Sequence, residues 1–242
     1  MAAANMTRTV PAGKEPAYDQ VRVYIWELPV RVAHWMMAVS ICSLSITGYY
    51  MHAPYISAHH YGDWVMGDMR FIHILSAFAF TICIAMRIFW FFFGNRYVTI
   101  DQYVPTTKER LRGIFKVATY YSFLRWRPVS YIGHNPLAGL AYFGIYMLSL
   151  VEIFTGFTLY SQTLSTPWIR AAFGWVEPIV SLQYLREIHF CIMFVFWIFF
   201  LQHIYTAALV SIEEESGLMD SIFSGYKFIP KAELDEETHA SH

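Results

Sequence analysis

The chain has 242 residues, of which 56% are hydrophobic and 19% aromatic, while only 14% are charged and the net charge is −1. Soluble domains carry about 25% charged residues, so the composition argues against a water-soluble enzyme. The near-neutral balance, with no basic stretch interleaved with stacking aromatics, excludes a nucleic-acid-binding module. Cys42, Cys83 and Cys191 form no Cys-x-x-Cys pair. A zinc ribbon, a thioredoxin-like site and haem attachment through Cys-x-x-Cys-His are therefore excluded, and the three thiols read as small buried hydrophobes.

Residues 1–31 carry Arg8, Lys14, Glu15, Asp19, Arg22 and Glu27 with no short apolar run, so no cleavable signal peptide is expected and the segment reads as an N-terminal tail. Four apolar runs are long enough to cross a bilayer: about Val32 to Tyr50, Phe71 to Phe93, Pro136 to Tyr160, and Glu187 to Val210. Lipid-exposed irregular backbone is not tolerated between such runs, so residues 32–210 are expected to form an all-α, four-helix membrane bundle. Most Lys and Arg outside the spans lie in the two tails and the second loop, which has Arg96, Lys108, Arg110, Arg112, Lys116, Arg125 and Arg127; the first and third loops hold only Arg70, Arg170 and Arg186. The positive-inside bias places both termini and the second loop in the cytoplasm.

Within the second loop, Leu111, Ile114, Phe115, Ala118 and Tyr121 recur at helical spacing, predicting an amphipathic helix on the inner surface. Trp168, Phe173 and Trp175 in the third loop read either as interfacial anchors or as a docking patch for an outer partner. Residues 211–242 form a C-terminal tail whose Glu233, Asp235, Glu236 and Glu237 read as disordered.

His189 and His203 stand fourteen residues apart on the fourth run. Fourteen helical steps bring both imidazoles to within about 40° of one face and separate them by about 21 Å. With the predicted topology, His34 falls on the inner side with His203, and His73 on the outer side with His189. One imidazole from each of two facing helices, at two depths, matches the axial positions of two haem irons. Zinc explains the pairs less well, because its sites need three or four protein ligands. Arg70 near the outer pair, and Arg31 and Arg87 toward the inner one, either neutralise haem propionates or snorkel to headgroups. Gly48, Gly139, Gly144 and Gly156 either admit a flat macrocycle or serve ordinary helix packing.

These residues, with Val30-Arg31-Val32-Ala33-His34-Trp35, Arg70-Phe71-Ile72-His73, Met86-Arg87-Ile88-Phe89-Trp90, Gly94-Asn95-Arg96-Tyr97, Arg127-Pro128, Gly133-His134-Asn135-Pro136-Leu137-Ala138, Thr155-Gly156-Phe157, His203-Ile204-Tyr205 and Gly225-Tyr226-Lys227, resemble the b-type cytochrome subunit of membrane-bound nickel–iron hydrogenases. The resemblance runs from about residue 23 to 228. The histidine pattern is shared with the cytochrome subunit of formate dehydrogenases, which is the alternative reading; a haem-free structural anchor is an alternative of another class.

The resemblance implies two haem b groups in a multi-pass protein of the bacterial inner membrane. The partners would be a periplasmic hydrogenase, with its iron–sulfur small subunit and its large subunit, and the membrane lipids. The electron acceptor would be a quinone near the inner haem, and hydrogen itself would react elsewhere than on this chain. His134 and Asn135, before the third span, are candidates for the quinone site; the competing reading makes Asn135 a helix cap and His134 a surface residue. Ala33 stands where the family often has Trp. Glu152 has no role in the resemblance: it either relays protons or is a hydrogen-bonded structural residue. His52, His59 and His60 read as facing solvent or a partner.

Overall fold

A computed structural model describes residues 20–56, 63–124, 131–163, 167–214, 216–231 and 234. Arg8, Lys14, His59, His60, Arg125, Arg127-Pro128 and the acidic Glu233, Asp235, Glu236 and Glu237 lie outside the described residues. Four long helices dominate: α1 (Leu28–His52), α2 (Val65–Phe93), α4 (Pro136–Ser161) and α6 (Leu182–Glu214). Each is long and apolar enough to cross a membrane. The expected bundle of four spans is therefore present, with helices running past the apolar runs at most ends. Arg31 stands in the first turn of α1, and α6 begins five residues before Glu187.

The helix starts follow local chemistry. Pro29 occupies the first turn of α1, and Pro136 that of α4, where a missing N–H costs nothing. Asn135 Oδ1 accepts from the Ala138 N–H at 2.7 Å, as an N-cap should. Inside the spans, hydroxyls that have no water to bond turn back on their own helix: Ser149 donates to the Ile145 carbonyl and Thr158 to that of Phe154, both at 2.8 Å.

Two layers make the bundle, α1 packed along α2 and α4 along α6. Between the two histidine levels Phe80, Ile84, Ile192 and Phe196 form a closed apolar layer, with the Phe80 and Phe196 rings edge to face at 6.3 Å. The three cysteines are free thiols: Cys83 is buried, Cys42 half-buried and Cys191 exposed. Cys191 thus departs from the expected burial, because its position on α6 turns away from the neighbouring helices.

The second loop contains the expected helix, α3 (Lys108–Tyr121). It lays Gly113 and Val117 against the protein and leaves Leu111 and Phe115 exposed. Gly113 allows a close approach there, since a Cβ would stand 2.8 Å from the Tyr131 hydroxyl and 3.0 Å from the Pro136 ring. In the third loop, α5 (Pro167–Phe173) leads into a 3-10 turn at Gly174–Val176. Trp168 and Trp175 are exposed, while Phe173 stacks on Phe157 at 5.4 Å.

The described parts of the two tails are not independent. β1 (Gln20–Tyr24) pairs antiparallel with β2 (Tyr226–Pro230), Val21 opposite Ile229 and Val23 opposite Lys227. A short helix, α7 (Leu218–Ser224), precedes β2. Trp26 Nε1 donates to Ser221 Oγ at 2.8 Å and Arg31 to the Phe223 carbonyl. Ile25, Trp26, Val30, Tyr97, Val98, Ile132 and Ile229 form a second core beneath this ribbon. Sequence periodicity did not reveal the pairing, because its partners lie about 200 residues apart.

The Gly94-Asn95-Arg96-Tyr97 segment ties α2 to that core. Glu27, just before α1, accepts from Trp90 Nε1 at 3.1 Å and from the Asn95 N–H at 2.9 Å. The Asn95 amide donates to the Ile25 carbonyl at 2.9 Å while its oxygen accepts from the Tyr97 N–H at 3.0 Å.

Candidate functional site

The four span histidines meet in two pairs. Near the strand ribbon His34 of α1 faces His203 of α6, with ring centroids 6.2 Å apart. At the opposite end His73 of α2 faces His189 of α6, with centroids 6.3 Å apart. Two metal–imidazole bonds of about 2 Å, each continued by about 1.1 Å from nitrogen to ring centre, separate centroids by about 6 Å. Both gaps therefore suit an iron held between two imidazoles. Among the described residues no cluster of three or more His, Cys, Asp or Glu could hold a metal ion.

A ligating imidazole must present one bare nitrogen, which the protein enforces by giving the other N–H an acceptor. Thr47 Oγ1 lies 2.9 Å from His73 Nδ1, and Thr155 Oγ1 2.9 Å from His189 Nδ1. The Tyr142 hydroxyl lies 3.2 Å from His203 Nδ1, and the His203 ring stacks on Phe199 at 5.6 Å. His34 Nδ1 is buried with no partner among the described residues. The sequence reading named the histidines, and quoted Thr155 within a motif, but gave no site role to Thr47, Thr155 or Tyr142. A repeated Thr-Gly dipeptide, in Ile46-Thr47-Gly48 and Phe154-Thr155-Gly156, was the available signal.

The glycines divide. A Cβ at Gly48 would stand 3.3 Å from the His73 ring, and one at Gly156 3.1 Å from the His189 ring. Both leave room for an imidazole. Gly139 instead admits the backbone of the α2–α3 loop, whose Gln102 carbonyl would stand 2.3 Å from a Cβ. A Cβ at Gly144 would meet nothing within 4 Å among the described residues.

The arginines also divide. Arg70 is exposed, one turn before His73 on α2. Arg87 is buried at 3% exposure. Its Nε donates to the Tyr146 hydroxyl at 3.2 Å and its Nη2 to that of Tyr103, while Nη1 has no partner among the described residues. Arg31 leaves its buried Nε without a partner among the described residues. A buried guanidinium with an open donor is a strong binding point for a carboxylate, so the residues around the His34–His203 pair fit an acidic macrocycle as well as its iron.

His134 is packed among aromatic rings rather than on the surface. Trp26 and Tyr103 each lie 4.7 Å away and Tyr142 5.3 Å, and its Nε2 is 3.4 Å from the Tyr103 hydroxyl. Burial and then the Arg87 charge push its pKa down to about 3, against a backbone hydrogen bond at Tyr97. Burial pushes the Tyr103 hydroxyl well above its ordinary range, with Arg87 opposing. Asn135 turns its oxygen to the α4 cap.

Comparison with known proteins agrees with the geometry. Residues 25–225 match the family described as prokaryotic cytochrome b561. The chain is 32% identical over 233 residues to a protein of Rhizobium leguminosarum bv. viciae named "Probable Ni/Fe-hydrogenase B-type cytochrome subunit", covering 94% of this chain and 98% of that one. It is 32% identical over 212 residues to the hydrogenase 1 counterpart of Escherichia coli (strain K12), covering 84% and 90%. A similarly named protein of Rhodobacter capsulatus is 33% identical over 214 residues, covering 85% and 81%. Four apolar helices in this family make a multi-pass membrane protein, in keeping with a bacterial inner membrane, and the family implies b-type haem. The chain belongs to the prokaryotic cytochrome b561 family, among the b-type cytochrome subunits of Ni/Fe-hydrogenases.

Proposed function

We propose that the chain is a two-haem electron relay that anchors a periplasmic Ni/Fe-hydrogenase and delivers its electrons to quinone. The observation that carries this reading is the pair of imidazole gaps, 6.2 and 6.3 Å, at two depths of one bundle. His73 and His189 would hold an outer haem b, and His34 and His203 an inner one. One-electron exchange is the chemistry those groups supply when bound.

The chain's own residues would do the rest. Thr47, Thr155 and Tyr142 orient three of the four imidazoles. Arg87, through its open Nη1, and Arg31, through its open Nε, would pair with inner-haem propionates, and Arg70 with an outer one. The Phe80, Ile84, Ile192 and Phe196 layer excludes water between the levels. Both termini lie in the cytoplasm in this reading, on the strength of the Lys and Arg bias. The hydrogenase small and large subunits then sit on the periplasmic side, beside Trp168 and Trp175.

Quinone would dock at the inner end beside His134 and Asn135. A His134 held neutral by burial serves as a hydrogen-bonding group there, and the α4 cap uses only the Asn135 oxygen, not its amide N–H groups. The relatives' names support the hydrogenase partner over a formate dehydrogenase.

The test is the intact complex purified from the membrane. Two haems b per chain, a hydrogenase that co-purifies, and hydrogen-dependent quinone reduction that falls in a His134→Ala variant with both haems kept are expected. One haem or none per chain would overturn the relay, and unchanged quinone turnover in the variant would remove His134 from the site.

A further inference from the structure

The two histidines of the His73–His189 level sit in matching cradles on different helices. On α1, Thr47 Oγ1 donates to the carbonyls of Ser43 at 2.7 Å and Leu44 at 3.3 Å. On α4, Thr155 Oγ1 donates to those of Val151 at 2.9 Å and Glu152 at 3.1 Å. Each hydroxyl proton is thereby committed, so each oxygen accepts from the Nδ1–H of its histidine. A glycine follows each threonine and makes room for the ring.

The two cradles share the Thr-Gly pair and differ most in chemistry at one flanking position. Three residues before the threonine, α1 carries Leu44 and α4 carries Glu152. Glu152 Oε1 stands 3.2 Å from His189 Nδ1, and the side chain is only 17% exposed. Its second oxygen is buried without a hydrogen-bond partner among the described residues. A carboxyl at this depth of an apolar span is costly, and Leu44 shows that the cradle closes without one. The costly group points at one nitrogen, on one side of one pair.

We propose that Glu152 is a positioning residue of the outer site, and that its carboxylate shares the His189 Nδ1–H with Thr155. The inference rests on the two-haem reading above. A carboxylate acceptor drives negative charge into the imidazole and makes its bare nitrogen a stronger donor. The more highly charged ferric iron gains most from that donor, so Glu152 holds the outer one-electron Fe(III)/Fe(II) couple at a lower potential than Thr155 alone would. His73, with only Thr47 and the local backbone at its Nδ1 among the described residues, lacks this influence, which makes the two ligands of the outer site unequal.

The experiment uses the whole complex in detergent and the variants Glu152→Gln, Glu152→Leu and Glu152→Asp. Haem is counted per chain, and the haem absorbance is titrated with dithionite and ferricyanide through mediators. With two haems bound, Glu152→Gln and Glu152→Leu are expected to raise the ferrous-to-ferric ratio of one couple about tenfold at fixed potential, about 59 mV for one electron. The other couple should stay in place. Both couples unmoved, or both moved together, would overturn the role of Glu152. If the Gln variant loses the outer haem, Glu152→Asp should restore it, and failure to do so would also overturn the role. Fewer than two haems in the unaltered complex is a different result, and it sinks the two-haem reading itself.

Discussion

Thr155 Oγ1 lies 2.9 Å from Nδ1 of His189, and that contact decides which ring nitrogen is free. The hydroxyl proton goes to the Val151 carbonyl, so the imidazole must be the donor and its Nε2 is left bare. Replacing Thr155 with Val keeps the shape and removes the nearer acceptor. Loss of such a supporting bond lowers metal-site affinity about 10–100-fold. Haem retention at the His73–His189 level should fall accordingly in a haem-transfer assay, with the His34–His203 level unaffected; equal retention at both levels would count against the assignment.

His189→Ala should leave one haem per chain in place of two, because His203 and His34 lie on the far side of the Phe80–Phe196 layer. Electron entry from the hydrogenase should stop while the remaining haem is still reduced by dithionite. Loss of both haems would show that the two levels are not independent.

Gly156→Val and Gly48→Val add bulk where a Cβ alone would already approach the His189 and His73 rings to 3.1 and 3.3 Å. Each should displace its ring and deplete the same haem, which an absorption spectrum of the purified protein reads directly. Depletion of different haems by the two variants would contradict the shared cradle.

Glu27→Ala leaves Trp90 Nε1 and the Asn95 N–H without their acceptor. A partly buried donor left without its acceptor costs at most about 1–3 kcal/mol. The variant should unfold at lower temperature in detergent while its haem spectrum, once folded, is unchanged.

His134 titrates far below its ordinary 6.5, at about 3, because burial and Arg87 disfavour the imidazolium. Below pH 6.5 the unfolded chain binds a proton that the folded chain refuses. Stability is therefore full above pH 6.5 and is lost as pH falls toward 3, by up to about 1.4 kcal/mol per pH unit. His134→Gln should flatten the acid limb of a thermal-stability profile between pH 6.5 and 4. An unaltered slope would mean that the imidazole is not buried as described.

What the sequence determined alone was everything set by helical pitch and bilayer thickness. Four spans, two histidine levels about 21 Å apart, the helix in the second loop and the proline start of α4 all follow from spacing along one chain segment. Tertiary structure decided what depends on how helices rotate against one another. Arg87 is buried with an open donor while Arg70 faces outward. Cys191 turns away from the bundle, and β1 finds β2 across nearly the whole chain. Glu152, without a role in the linear sequence, reaches the nitrogen of His189 only because α4 packs against α6 at that register. A period of 3.6 residues tells which side chains share a face; only the docking of two faces tells which donor meets which acceptor.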